Sequence, residues 1–187
     1  MFVQNNALTE FESSGLRLRD LFISHNTDTL KVAWSALCSD AASELSDADW
    51  LEVEYDFNAL FVGPGKLTAA PYASVYLEED ALVMGKTTLT LREFIENLGL
   101  SINNENNIPD DHVSYILELV VLLRVNSMQM PEYRTALTQF IAEYVAIWLP
   151  AFIERIKGNA QTATLRRAAD KLSNWLDELK RDYHYEH

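Results

Sequence analysis

Of the 6 glycines and 5 prolines in this 187-residue chain, two of each fall within residues 63–71, from Gly63-Pro64-Gly65 to Pro71. So dense a cluster of helix breakers forbids a continued helix there, and their scarcity elsewhere permits long helices on both sides. The apolar residues follow that division. Leu8, Phe11, Leu18, Leu21 and Phe22 fall mostly at three- and four-residue steps, the helical period, and predict a first helix over residues 7–22. Leu30, Ala33, Trp34 and Leu37 repeat the pattern behind Thr27-Asp28, the expected cap of a second helix. Ser46-Asp47-Ala48-Asp49 opens a third, with Trp50, Val53, Phe57, Leu60 and Phe61 in one stripe.

Beyond the break, Ser74-Val75-Tyr76-Leu77 is β-branched and aromatic and reads as extended. Leu91, Phe94, Ile95 and Leu98 mark a helix that Gly99 stops. Residues 101–108 are polar and asparagine-rich, a surface hinge. After Pro109, Asp110 or Asp111 is expected to cap a helix carrying Val113, Ile116, Leu117, Val120 and Leu123. Pro131 suits a helix start, and Pro150 is expected to kink or split the long helix that follows. A last helix over residues 162–183 carries Leu165, Leu172, Trp175 and Leu179 on one face. The pattern predicts an all-α helical bundle: an N-terminal lobe over residues 1–100 with the Gly/Pro loop, a hinge over 101–112 and a C-terminal lobe over 113–187. One compact unit is the alternative division.

Composition narrows the function. With 48% hydrophobic residues the chain can build a core, and its single cysteine, Cys38, excludes an internal disulfide. Against 15 Lys+Arg stand 28 Asp+Glu, a formal net charge of -13. Such a surface repels nucleic acid and anionic membranes and favours a basic peptide or protein segment. The start of the chain has no basic stretch followed by an apolar run, and no run approaches 18 uninterrupted apolar residues, so a cytoplasmic location without stable membrane insertion is expected.

Two segments carry residues that a bundle does not require, 57–77 and 109–112. In the first, Phe57, Leu60 and Phe61 end a helix beside Gly63-Pro64, and the same aromatic cluster suits either a core or an apolar groove. Gly63-Pro64-Gly65-Lys66 lacks the spacing of a phosphate loop, and Pro64 removes an N–H such a cradle would use. In the second, Asp110-Asp111-His112 reads as an acid/base group, half of a metal site or, on these residues alone, a doubled helix cap with a surface histidine. Charge marks both segments. Residues 32–65 hold seven acids and no Lys or Arg, and residues 93–123 hold six, again without Lys or Arg.

Taken in order, Tyr55-x-Phe57-x-x-Leu60-Phe61-x-Gly63-Pro64, Pro71-Tyr72-x-Ser74-Val75-Tyr76-Leu77 and Pro109-x-Asp111-His112 resemble the TorD/DmsD family. The resemblance implies an all-helical cytoplasmic chaperone, not an enzyme and needing no cofactor of its own. Its partners would be the twin-arginine signal peptide and the body of an apo-oxidoreductase, a molybdoenzyme, whose export it delays and whose cofactor insertion it assists. It further implies a peptide-binding surface of Phe57, Leu60, Phe61, Gly63, Pro64, Tyr72, Ser74, Gly85, Pro109, Asp111 and His112. On that reading Asp111 makes a charged contact to arginine, and His112 a hydrogen bond or an added charge below about pH 6.5. Gly65 and Tyr72 stand where relatives often carry tryptophan, and Ile108 where they carry glutamate. The alternatives are a maturation chaperone for a non-exported metalloenzyme, a nucleotide-hydrolysing enzyme using Asp111 and His112, and a helical dimerisation module. The hinge allows a monomer or a domain-swapped dimer.

Overall fold

Helix starts in this chain are written locally, as short polar residues that bond the free N–H groups of the first turn. In the computed structural model, which describes residues 8–38, 45–79, 85–102 and 108–184, three starts are complete capping boxes. Thr9 opens α1 (Glu10–Phe22), Asn26 opens α2 (Thr27–Leu37) and Ser46 opens α3 (Asp47–Phe57). The cap of α2 is thus Asn26, whose Oδ1 accepts from Thr29 N at 2.9 Å; Thr27 is already helical. Leu8 precedes the cap of α1 and is exposed.

The third helix does not stop at Phe57 but widens into a π turn, Asn58–Val62, and Gly63 ends it with its N–H on the Asn58 carbonyl. The breaker loop then folds back, Ala69 N donating to Leu60 O at 3.1 Å. The segment expected to be extended forms one helical turn, α4 (Ser74–Leu77). Its β-branched and aromatic composition is overridden by tertiary contacts, described below. After α5 (Lys86–Asn97), Gly99 adopts φ +70 and closes the helix as its sequence position predicts. Within the polar hinge, residues 103–107 lie outside the described residues.

The C-terminal half comprises α6 (Val113–Ser127), α7 (Pro131–Phe140), a second π turn (Ile141–Val145), α8 (Ala146–Asn159) and α9 (Ala163–His184). Pro150 does not split the helix; it lies inside α8. The irregularity sits one turn earlier. The π turn ends at Ala146, the residue whose carbonyl would otherwise accept from the N–H that Pro150 lacks. The continuous helix Pro131–Asn159 is long and apolar enough to cross a membrane, but half of its apolar window is buried inside the fold. Phe140, Val145, Leu149, Phe152 and Ile156 spend that apolarity on the core.

Helix α6 is the centre, buried along most of its length by α1 on one side and α7 on another. Helix α1 also meets α2 and α9, α3 meets α9, and α4 meets α8, so the residues before and after the hinge share one core. At Gly15 a Cβ would stand 2.9 Å from Val121 Cγ2 and 3.1 Å from Trp175 Nε1, which explains why glycine sits where α1 approaches α6 and α9. Trp175 stacks on Phe11 at 5.0 Å and donates its indole N–H to the Phe11 carbonyl. Asp56 ties α3 to the start of α9: its Oδ2 accepts from Gln161 N, Thr162 N and Thr162 Oγ1 at 2.7–2.9 Å.

Candidate functional site

The two segments singled out by sequence converge. Tyr72 and His112, forty residues apart, form an isolated antiparallel bridge. Val113 N donates to Pro71 O at 2.8 Å, and Ala73 N to Asp111 O at 3.1 Å. The Asp111 carboxylate crosses the same junction, its Oδ2 accepting from Ser74 N at 2.9 Å. That bond and the backbone ladder before it fix the start of α4 and explain why the segment coils instead of extending.

The three polar residues of the second motif therefore divide their work differently from the expected doubled cap. Asp110 turns to Arg92, Oδ2 to Nε at 2.5 Å. Asp111 serves the bridge. His112 is the cap of α6: its Nδ1 accepts from Ser114 N at 3.2 Å and lies 2.7 Å from Ser114 Oγ. An accepting Nδ1 places the proton of the neutral ring on Nε2.

Burial corrects the expected chemistry of this pair. Asp111 is 0% exposed and His112 5%, so neither is a surface group. Loss of water pushes the His112 pKa down to about 3, and the ring stays neutral where a surface histidine would gain charge. Tyr72, half-buried, meets the His112 ring edge-on at 5.3 Å, and its pKa is raised first by burial and then by the Asp111 charge. Two buried oxygens beside the bridge, Ser74 Oγ and Asp111 Oδ1, have no hydrogen-bond partner. Unpaired buried polar atoms are rare and mark strain or a group held for a ligand.

The aromatic motif lies below this junction. Phe57, Leu60 and Phe61 are 1, 1 and 3% exposed, which settles their position as core. Phe61 packs edge-on to Phe22 at 5.5 Å and meets Phe152 at 5.9 Å; Phe152 in turn meets Tyr76 at 6.2 Å. Through Phe152 the π-turn motif and the α4 motif rest on one aromatic stack. Pro64 is exposed and Gly63 and Pro109 are partly so. Gly85 lies apart as the cap of α5, against the Glu78 carboxylate, whose Oε1 accepts from Thr87 N at 2.6 Å.

Sequence reasoning missed Arg155 and Arg92. Arg155 stands over the Tyr76 ring at 4.4 Å, and Arg92 secures Asp110; neither is near in sequence to what it holds, so no local pattern announces it. No group of three or more His, Cys, Asp or Glu that could hold a metal occurs among the described residues.

A helical bundle whose candidate site is a bridge between a Gly/Pro loop segment and a helix start defines the class. A family model described as the nitrate reductase delta subunit matches residues 25–154, and the chain belongs to that family, which includes the TorD and DmsD chaperones. The chain is 30% identical over 156 residues to the chaperone protein TorD of Vibrio vulnificus, covering 79% of this chain and 72% of that protein. It is 29% identical over 100 residues to a Haemophilus influenzae protein named as the Tat proofreading chaperone DmsD, covering 54% of this chain and 46% of that one. TorD of Vibrio cholerae matches at 33% over 111 residues, half of its length. These relatives are named as chaperones and not as enzymes. A solved structure described as a redox enzyme maturation protein from Archaeoglobus fulgidus shares the fold, with TM-score 0.57 over 96% of this chain and 98% of that one at 17% identity.

Proposed function

We propose that this chain is a cytoplasmic maturation chaperone that binds the twin-arginine signal peptide of an apo-molybdoenzyme, delays its export and assists insertion of the cofactor. The observation that carries the reading is the junction of Tyr72–Ser74 with Asp111–His112, which unites in space the motif segments that resemble the family's peptide-binding surface. Its residues take different roles. Tyr72, Pro64 and Pro109 retain surface and contact the peptide directly. Ser74, Asp111 and His112 are buried and position Tyr72 and the loop, while Phe57, Leu60 and Phe61 support the loop from below.

Binding of this kind is releasable. Burying three or four leucine-sized peptide side chains gains about 1.5–3 kcal/mol each, and ordering a disordered peptide costs roughly 2–5 kcal/mol, which leaves affinity near micromolar at best. Titration calorimetry with twin-arginine signal peptides from the host tests the proposal. Affinity that falls with added salt is expected, because attraction between acids and arginines is screened within about 8–10 Å at ordinary ionic strength. Absence of binding at tens of micromolar contradicts the exported-client reading.

A further inference from the structure

Helix α3 has two apolar sides. Its inner side carries Trp50, Val53 and Phe57, all buried. Its outer side carries Leu51 and Tyr55 at 49 and 67% exposure, and the π turn after it continues the line with exposed Ala59 and with Val62 at 58%. This stripe borders a groove of about 640 Å³ between α3 and residues 161–164 at the start of α9, with Val53, Ala59 and Leu45 among its apolar lining and Glu52, Tyr55 and Asp49 at the acidic side.

The charge of that groove is unbalanced. Residues 32–65 contain no Lys or Arg, and Lys31 is already paired with Asp47 at 2.7 Å in the first turn of α3. Asp49 accepts from Ser46 N and Oγ, bonds that lower its pKa and keep it ionised. Among the described residues Glu52 has no hydrogen bond or ion pair. Just before α9, Asp56 is engaged by Thr162 N, and Arg166, in the first turn of α9, bonds the Ala160 carbonyl. By contrast, the second acidic run is partly neutralised from outside, by Arg92 on Asp110 and Arg19 on Glu118.

We propose that this groove docks a cationic segment of a client polypeptide in which an arginine or lysine lies beside an apolar side chain. The cation reaches Glu52 and Asp49 and can lie over the Tyr55 ring, while its aliphatic stem and the apolar neighbour cover Ala59 and Leu45. Nucleic acid and anionic lipid are repelled by the same carboxylates. The inference rests on the chaperone reading for the kind of molecule that carries such a segment, but the groove is built from other elements than the Tyr72–His112 bridge.

The test is an NMR titration of the full chain with two synthetic peptides: a short one with two adjacent arginines followed by leucine, and the same sequence extended by an apolar stretch. The short peptide is expected to shift amides of α3 and of residues 161–164, and Glu52→Lys to weaken it about tenfold, with Tyr55→Ala weakening it in the same direction. Both positions are exposed, so the variants keep the fold; amide spectra check this. Shifts confined to the surroundings of Tyr72 and His112, or unchanged affinity in Glu52→Lys, overturn the groove and leave the chaperone reading standing. So does binding of the extended peptide alone. A Tyr55-dependent dimer that binds neither peptide overturns it in favour of a second copy as occupant, and a monomer that binds neither overturns both proposals.

Discussion

Asp111 keeps a carboxylate at 0% exposure for the sake of one backbone N–H, that of Ser74, while its other oxygen has no partner. The residue is therefore a connector, and its substitutions separate cleanly. Asn keeps an acceptor for Ser74 N and removes a buried charge, so Asp111→Asn is expected to leave the thermal midpoint within a few degrees of wild type. Ala leaves the Ser74 N–H unpaired and is expected to cost about 1–3 kcal/mol, read by denaturant unfolding. Its neighbour His112 predicts a pH dependence. The folded pKa of about 3 lies below the unfolded value near 6.5, so between the two the unfolded chain binds a proton that the folded chain does not. Its contribution is complete above about pH 6.5 and declines as pH falls toward 3, by up to roughly 1.4 kcal/mol per pH unit. Tyr72, Tyr115 and Ser114 meet the ring and supply no cation. Stability measured against pH in wild type and in His112→Gln checks this: the variant is expected to lose part of the acid slope.

At the level of elements, what could be read from the sequence was what is local. Helical periodicity located α3, α5, α6 and α9, and Ser46 and Gly99 fulfilled their capping roles because each acts within a few residues of itself. The misreadings at the site involve distant partners. Ser74-Val75-Tyr76-Leu77 has the composition of a strand, yet a carboxylate 37 residues away sets it as a helical turn. Asp110 and Asp111 have the composition of caps, yet Arg92 and Ser74 claim them and the cap falls to His112. No periodicity could decide whether Phe61 lined a groove or a core, since both uses need the same stripe; Phe22 and Phe152 decide it. The same logic makes Asp56 testable. From a helix 105 residues away it holds Gln161 N, Thr162 N and the Thr162 hydroxyl just before α9, and that hydroxyl in turn accepts from Leu165 N in the first turn, so Asp56→Ala is expected to destabilise by about 1–3 kcal/mol, with early loss of amide protection at the start of α9.

Across the whole molecule, the packing of α1 on α6 and α9 and of α3 on α9 joins the segments on either side of the hinge in one core. We expect a single cooperative unfolding transition. Trp34 and Trp50 report from before the hinge and Trp148 and Trp175 from after it, all nearly fully buried, so single-tryptophan variants are expected to share one denaturation midpoint. Two separated midpoints would support two independent lobes. A shared core also means that the site is held by both halves: the loop segment comes from one and the start of α6 from the other.

The central claim, that this junction presents a surface for a twin-arginine signal peptide, is tested most directly by calorimetric titration of one such peptide into wild type and Tyr72→Ala, with thermal midpoints measured alongside. Tyr72 is half-buried and its ring faces His112, so its removal takes away contact area while the bridge, made by backbone atoms, remains. The account predicts near-micromolar binding to wild type, a loss of about tenfold or more in the variant, corresponding to about 1.4 kcal/mol, and a midpoint that changes little. Equal affinity for wild type and Tyr72→Ala would contradict it.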